Sequence, residues 1–201
     1  MRRAAVRTLT RMTATPALRP LGAAGMRMLF DRLADDWEKI RADPVYRDAF
    51  KAGLEALPRQ FPQLQRRPER VLDVACGTGI ATAMLRERLH EADILGIDIS
   101  PQMIEHARKL VPNVRFEVAS TLDLPYGDAT FDLVTSLDGI FVVAELARVT
   151  AHGGAIVLVY SRGAHIPVAR PLEQLATEAR AAGLQCITDA SSAWWLWAMK
   201  P

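Results

Sequence analysis

At 201 residues the chain has the length of one domain. Half of it is apolar and 24% is charged, which excludes a disordered or fibrous chain and suffices for a core without disulfide or metal staples. No run of 18 apolar residues offers a membrane span, and two cysteines, Cys76 and Cys186, make neither a disulfide framework nor a four-ligand zinc site.

The net charge of +2 is unevenly spread. Residues 1–30 hold Arg2, Arg3, Arg7, Arg11, Arg19 and Arg27 and no acid, so the rest of the chain is net acidic and a poor match for nucleic acid. Residues 1–28 read as a basic, unstructured leader; a transit-peptide-like segment and a basic arm for an anionic partner are the alternatives. The composition points to a soluble, cytoplasmic protein, and the 21 Arg against 4 Lys to a GC-rich bacterial genome.

Order is expected from residue 29. Phe30, Leu33, Trp37 and Ile40 recur at helical spacing, and Asp43-Pro44 opens a second helix carrying Tyr46, Phe50, Leu54 and Leu57, ended by Pro58. Residues 58–69 form a connector. Strands are expected at 70–74, 93–97, 114–118, 131–135 and 155–160, alternating with helices at 80–89, 101–110 (capped by Ser100), 140–150 and 172–182, the last stopped by Gly183. Two final strands, 185–188 and 194–199, are joined by a turn too short for a parallel crossover and must pair antiparallel. This pattern predicts an α/β fold: a doubly wound, Rossmann-like sheet of seven strands with the last antiparallel and helices on both faces. Residues 29–58 would form N-terminal helices over a core at 70–201, within a single domain spanning 29–201.

The first strand runs into VLDVACGTGIATAML. Gly77 and Gly79 fall at the strand-to-helix turn, where doubly wound sheets bind ligands and a helix N-terminus presents free N–H groups. Asp98 closes the second strand 19 residues after Gly79, a position from which a carboxylate accepts both ribose hydroxyls. Asp73, just ahead of the glycines, would repel a pyrophosphate and suits a cationic ligand. Thr82 stands where a dinucleotide fingerprint has its third glycine, and no Tyr-x-x-x-Lys pair occurs, which counts against a nicotinamide-dependent oxidoreductase.

On these residues the chain resembles the class I S-adenosylmethionine-dependent methyltransferases of small-molecule type, in an uncharacterised bacterial subgroup. VLDVACGTG resembles their first motif. GIDIS with PQMIEHARKL resembles the second, and LDLPYGDATFDLV, LARVTAHGGAIVLV and WWLWAMKP resemble later segments in order. The resemblance implies S-adenosyl-L-methionine as cofactor. It places Asp73 toward the methionine ammonium and Ala75, Cys76, Gly77 and Gly79 around the methionine portion. Asp98 falls on the ribose and Ile99 on the adenine face. Thr121 and Leu122 fall at the adenine edge, and Ser136 and Leu137 near the sulfonium. The chain departs from the family at Ala75, where a glycine is usual, and at Ser120, where many relatives carry an acid facing the adenine amino group. Trp37 and Phe30 correspond to an N-terminal helix that covers the cofactor, with simple packing on the sheet as the alternative.

In-line methyl transfer needs alignment and dryness more than acid–base chemistry. Should the acceptor lose a proton, His165, Asp138 and Tyr160 are the candidate bases. Cys76 reads as a small apolar residue. The expected partner is a small-molecule acceptor. No metal and no nucleic acid are expected. A homodimer is considered because Trp194, Trp195 and Trp197 alternate faces in a strand. The competing functional reading is a protein that binds the cofactor without catalysis.

Overall fold

The computed structural model describes residues 2–64 and 67–201; residues 65 and 66 of the expected connector lie outside them. The apolar runs form strands β1 (Arg70–Val74), β2 (Asp93–Asp98), β3 (Arg115–Val118), β4 (Phe131–Leu137), β5 (Thr150–Tyr160), β6 (Gln185–Asp189) and β7 (Trp194–Met199). They make one sheet in the order β3-β2-β1-β4-β5-β7-β6. The first five strands are parallel to their neighbours, whereas β7 runs antiparallel between β5 and β6.

Neighbouring side chains on β1 go to opposite faces, Val71 to one apolar cluster and Leu72 to the other. α3 (Val45–Gln60), α4 (Ile80–Arg88) and α5 (Pro101–Leu110) cover the Val71 face. α6 (Val143–Val149) and α7 (Leu172–Ala181) cover the Leu72 face. Ala155 to Tyr160 of β5 are buried throughout, as a central strand between two helical layers requires. Ser100 caps α5, its Oγ accepting from Met103 N at 3.1 Å, and Gly183 ends α7 with φ +81°.

Two expectations are corrected. The unstructured leader over 1–28 is instead a helical hairpin, α1 (Arg2–Ala14) joined by a single 3-10 turn to α2 (Arg19–Ile40). Val6, Thr13 and Met26 are buried in it. The helices close up at Gly22 and Gly25, where an added Cβ would stand 2.8 Å from Thr13 N and 2.5 Å from Leu9 Cδ2. α3 also continues past Pro58 to Gln60, since a proline in the last turn forfeits one bond near a helix end. None of the three strand tryptophans is exposed. Trp195 and Trp197 lie against α3 and donate to Ala49 O at 2.8 Å and Gly53 O at 2.7 Å, so the reason for expecting a homodimer falls away.

Candidate functional site

Above the carboxyl ends of β1, β2 and β4 lies a cavity of about 440 Å³, walled on its far side by α1 and α2. Pockets for small ligands and cofactors fall in the same range. Its strand side is built by the β1–α4 turn. Ala75 (φ +57°) and Gly77 (φ +55°) take left-handed conformations there. At Gly77 a side chain would meet Trp37 Nε1 of α2 at 3.2 Å, so the turn and α2 approach closely at this glycine. Ala75 holds the same conformation with a Cβ, which costs of order 1 kcal/mol relative to glycine.

Asp98 joins the turn to β2. Its Oδ2 accepts from Gly77 N at 3.0 Å and its Oδ1 from Ser100 N at 2.9 Å. Burial pushes this carboxyl up to about 6, against the pull of those N–H groups. Asp73 is deeper, fully buried, with Oδ2 accepting from Thr82 Oγ1 at 2.5 Å and Oδ1 from Thr135 Oγ1 at 3.1 Å. Burial raises it further, to about 7, and the two hydroxyls offset only part of that. Neither acid forms an ion pair among the described residues. Thr78 Oγ1, also on the cavity wall, is buried without a hydrogen-bond partner among those residues. Burial likewise holds the Cys76 thiol well above its ordinary value, which suits an inert apolar residue.

The opposite end is differently charged. Asp138, at φ +53°, accepts from Ser161 N at 2.8 Å and Ser161 Oγ at 2.7 Å, and pairs with Arg41 Nη1 at 2.5 Å. The Arg41 guanidinium lies over Tyr46 (4.4 Å to the ring centre) and Trp37 (5.0 Å). Phe30 meets Trp37 edge to face at 5.5 Å. Arg162 pairs with Asp43 beside the same tyrosine. The α1–α2 hairpin is tied down by Asp31, whose Oδ1 accepts from Ser100 Oγ at 2.6 Å.

Of the residues singled out from sequence, Asp73, Ala75, Cys76, Gly77, Asp98, Ile99, Thr121, Leu122, Leu137, Asp138 and His165 line the cavity. Four do not. Gly79 packs α4 on α5, an added Cβ meeting Ala107 Cβ at 3.2 Å. Ser136 Oγ donates to Val74 O at 2.8 Å inside the sheet. Ser120 Oγ accepts from Leu122 N at 3.2 Å, closing its own loop. Tyr160 is buried against Phe141, its hydroxyl without a partner among the described residues and its ionisation pushed up by burial. Sequence reasoning missed Arg41, Tyr46, Thr135 and the α1 contribution altogether. Thr82 was noticed only as a missing glycine, although a hydroxyl one helical turn beyond that glycine-rich turn was a readable signal.

The comparisons agree with this architecture. Residues 71–163 match the family described as "Methyltransferase domain". Over residues 71–163 the chain carries a class I S-adenosylmethionine-dependent methyltransferase domain. A demethylmenaquinone methyltransferase of Deinococcus radiodurans is 42% identical over 106 residues, 47% of this chain and 44% of that protein. A malonyl-[acyl-carrier protein] O-methyltransferase of Halorhodospira halophila is 32% identical over 141 residues, 65% of this chain and 46% of that protein. The chain thus spans less than half the length of these curated relatives. A Haloferax volcanii methyltransferase, solved in complex with a methyltransferase activator, shares the fold, with a TM-score of 0.70 at 19% identity over 86% of this chain and 97% of that one.

S-adenosylmethionine is the cofactor of such a methyltransferase domain, and the residues present fit it. Its ammonium and sulfonium are cations, and Asp73 and Asp98 are buried acids without a cation of their own. Its ribose diol offers donors, and Asp98 retains acceptor capacity beyond the two N–H groups it already binds. No helix is long and apolar enough to cross a membrane, and no cluster of metal-ligating side chains occurs among the described residues.

Proposed function

We propose that the chain transfers a methyl group to a small, largely apolar acceptor held between the α1–α2 hairpin and the strand ends. The observation that carries this reading is one continuous cavity whose strand side presents two uncompensated acids and whose far side is mostly apolar. In it, Asp98 holds the ribose hydroxyls, Asp73 faces the ammonium end, and Ile99, Thr121 and Leu122 border the adenine. Val6, Met26, Leu33, Ile140, Ile166 and Val168 give the acceptor an apolar wall. Bound there, the cofactor supplies an electrophilic methyl on a cationic sulfur. The chain's own contribution is to align the acceptor and keep water out.

Proton removal, where the acceptor requires it, falls to His165. Asp138 is committed to Arg41 and Ser161, and Tyr160 points elsewhere, whereas His165 is exposed at the cavity's edge. The soluble, cytoplasmic setting expected from composition belongs to this proposal.

Thermal unfolding and calorimetric titration with S-adenosylhomocysteine test it. Ligand at about 100 times its Kd stabilises by roughly 2.7 kcal/mol, on the order of 5–10 °C for a chain of this size. Asp98→Ala is expected to weaken binding about 100-fold, the loss of one or two charge-assisted hydrogen bonds. Unchanged affinity in a folded Asp98→Ala protein would refute the ribose assignment.

A further inference from the structure

The α1–α2 hairpin has an outer surface that the methyl-transfer reading does not use. Arg3, Arg7 and Arg11 recur at i, i+4 along α1, all exposed; Arg3 also lines the cavity, so Arg7 and Arg11 are the members of this stripe that belong to the outer surface. Among the described residues none of the three has an acidic partner. The first acid in the chain is Asp31, which stands 3.9 Å from Arg27 of α2, so among the described residues the charge of α1 itself is unopposed. The same hairpin exposes large aliphatic side chains. Leu18 is 41% exposed, Leu21 64% and Met28 55%, and Leu21 and Met28 stand two turns apart on one side of α2. Elsewhere in the chain, exposed apolar side chains are scattered singly.

A cationic stripe with exposed aliphatic side chains on one short hairpin matches an anionic lipid surface, which rewards both features together. Nucleic acid fits less well. It gains little from leucine and methionine, and residues 1–30 offer only Phe30 for base stacking, a residue occupied with Trp37 inside the cavity wall. We infer that the outer surface of the α1–α2 hairpin docks on an anionic phospholipid bilayer. The hairpin that touches lipid is then the one whose inner face, through Val6 and Met26, walls the apolar end of the cavity. The inference rests on the exposed face alone and stands whether or not the acceptor assignment does.

Flotation of the full chain with phosphatidylglycerol/phosphatidylcholine vesicles, beside pure phosphatidylcholine vesicles, tests it. Binding is expected to the anionic vesicles, falling with added salt. Arg7→Gln/Arg11→Gln is expected to weaken it roughly 30-fold, the equivalent of about 1 kcal/mol for each arginine at an anionic surface. Leu21→Ser/Met28→Ser is expected to weaken it several-fold. All four positions lie outside the cavity wall, so both variants should keep the parent's Tm and its affinity for S-adenosylhomocysteine, which separates failure of docking from failure of the cofactor site. Equal binding to neutral vesicles, or no binding, overturns the inference. So does charge-dependent binding of vesicles that ignores Leu21→Ser/Met28→Ser while a single-stranded RNA competes it away; that result assigns the stripe to nucleic acid.

Discussion

Three buried aspartates line one cavity, and the protein treats them in two ways. Asp138, at the hairpin end, has a guanidinium at 2.5 Å and a serine donating twice, so its charge is neutralised within the chain. Asp73 and Asp98, at the strand end, receive only hydroxyls and backbone N–H groups. Their ionisation stays raised, because neutral donors offset only part of the desolvation. An acid with its own cation holds structure together. An acid left without one keeps its charge for a ligand.

The largest effect that would sharpen this contrast comes from breaking the closed pair. Arg41→Ala strands a carboxylate whose side chain is 1% exposed. The expected cost is about 3–5 kcal/mol, or roughly 6–20 °C in Tm. Arg41→Met/Asp138→Asn should recover most of it, because no charge is left behind. A Tm within a degree or two of the parent for Arg41→Ala alone would show the pair to be ornamental.

The next effect is a pH dependence. Asp98 and Asp73 stand at about 6 and about 7, above the ordinary 3.8, so folding favours their protonated forms. Their contribution to stability is complete below about pH 4 and is lost as pH rises through 6 and 7. A cationic ligand should relieve that loss. Affinity for S-adenosylmethionine, whose sulfonium and ammonium make it a net cation, is therefore expected to rise roughly tenfold between pH 5.5 and 8, one unit of pKa being worth 1.36 kcal/mol. A flat profile by calorimetry would mean that the strand-end acids do not meet the ligand's charge.

The smallest is Thr82→Val, which removes one of the two hydroxyls on Asp73. It should cost about 1 kcal/mol and move the pH profile to higher values, since the remaining donor, Thr135, compensates less. A profile that stays put would assign Thr82 to packing alone.

Much of the strand end was legible beforehand. β1 and β7 fall on the residues expected, and Ser100-Pro101 marks the start of α5, because these elements are written locally in apolar runs and caps. The hairpin end was not legible. α1 carries only three large apolar residues, Val6, Leu9 and Met12, among its arginines, and it closes on Gly22 and Gly25, a contact between segments that neither segment reveals alone. The Arg41–Asp138 pair joins residues 97 positions apart, so each looked from sequence like an ordinary surface charge or a free base. Gly79 and Ser136 were read as ligand contacts because they sit in the right motifs; the sheet and α5 claim them instead.

The antiparallel insertion of β7 between β5 and β6 bears on how the chain is made. Until residues 194–199 leave the ribosome, β5, whose residues 155–160 are all apolar and buried in the finished sheet, has a bare edge on its β7 side. A nascent chain that already holds the whole glycine turn and its acids still presents a sticky template to other strands. Completion of the sheet thus waits on one late segment. Stalled or truncated synthesis within it is expected to yield aggregates rather than a partly active domain.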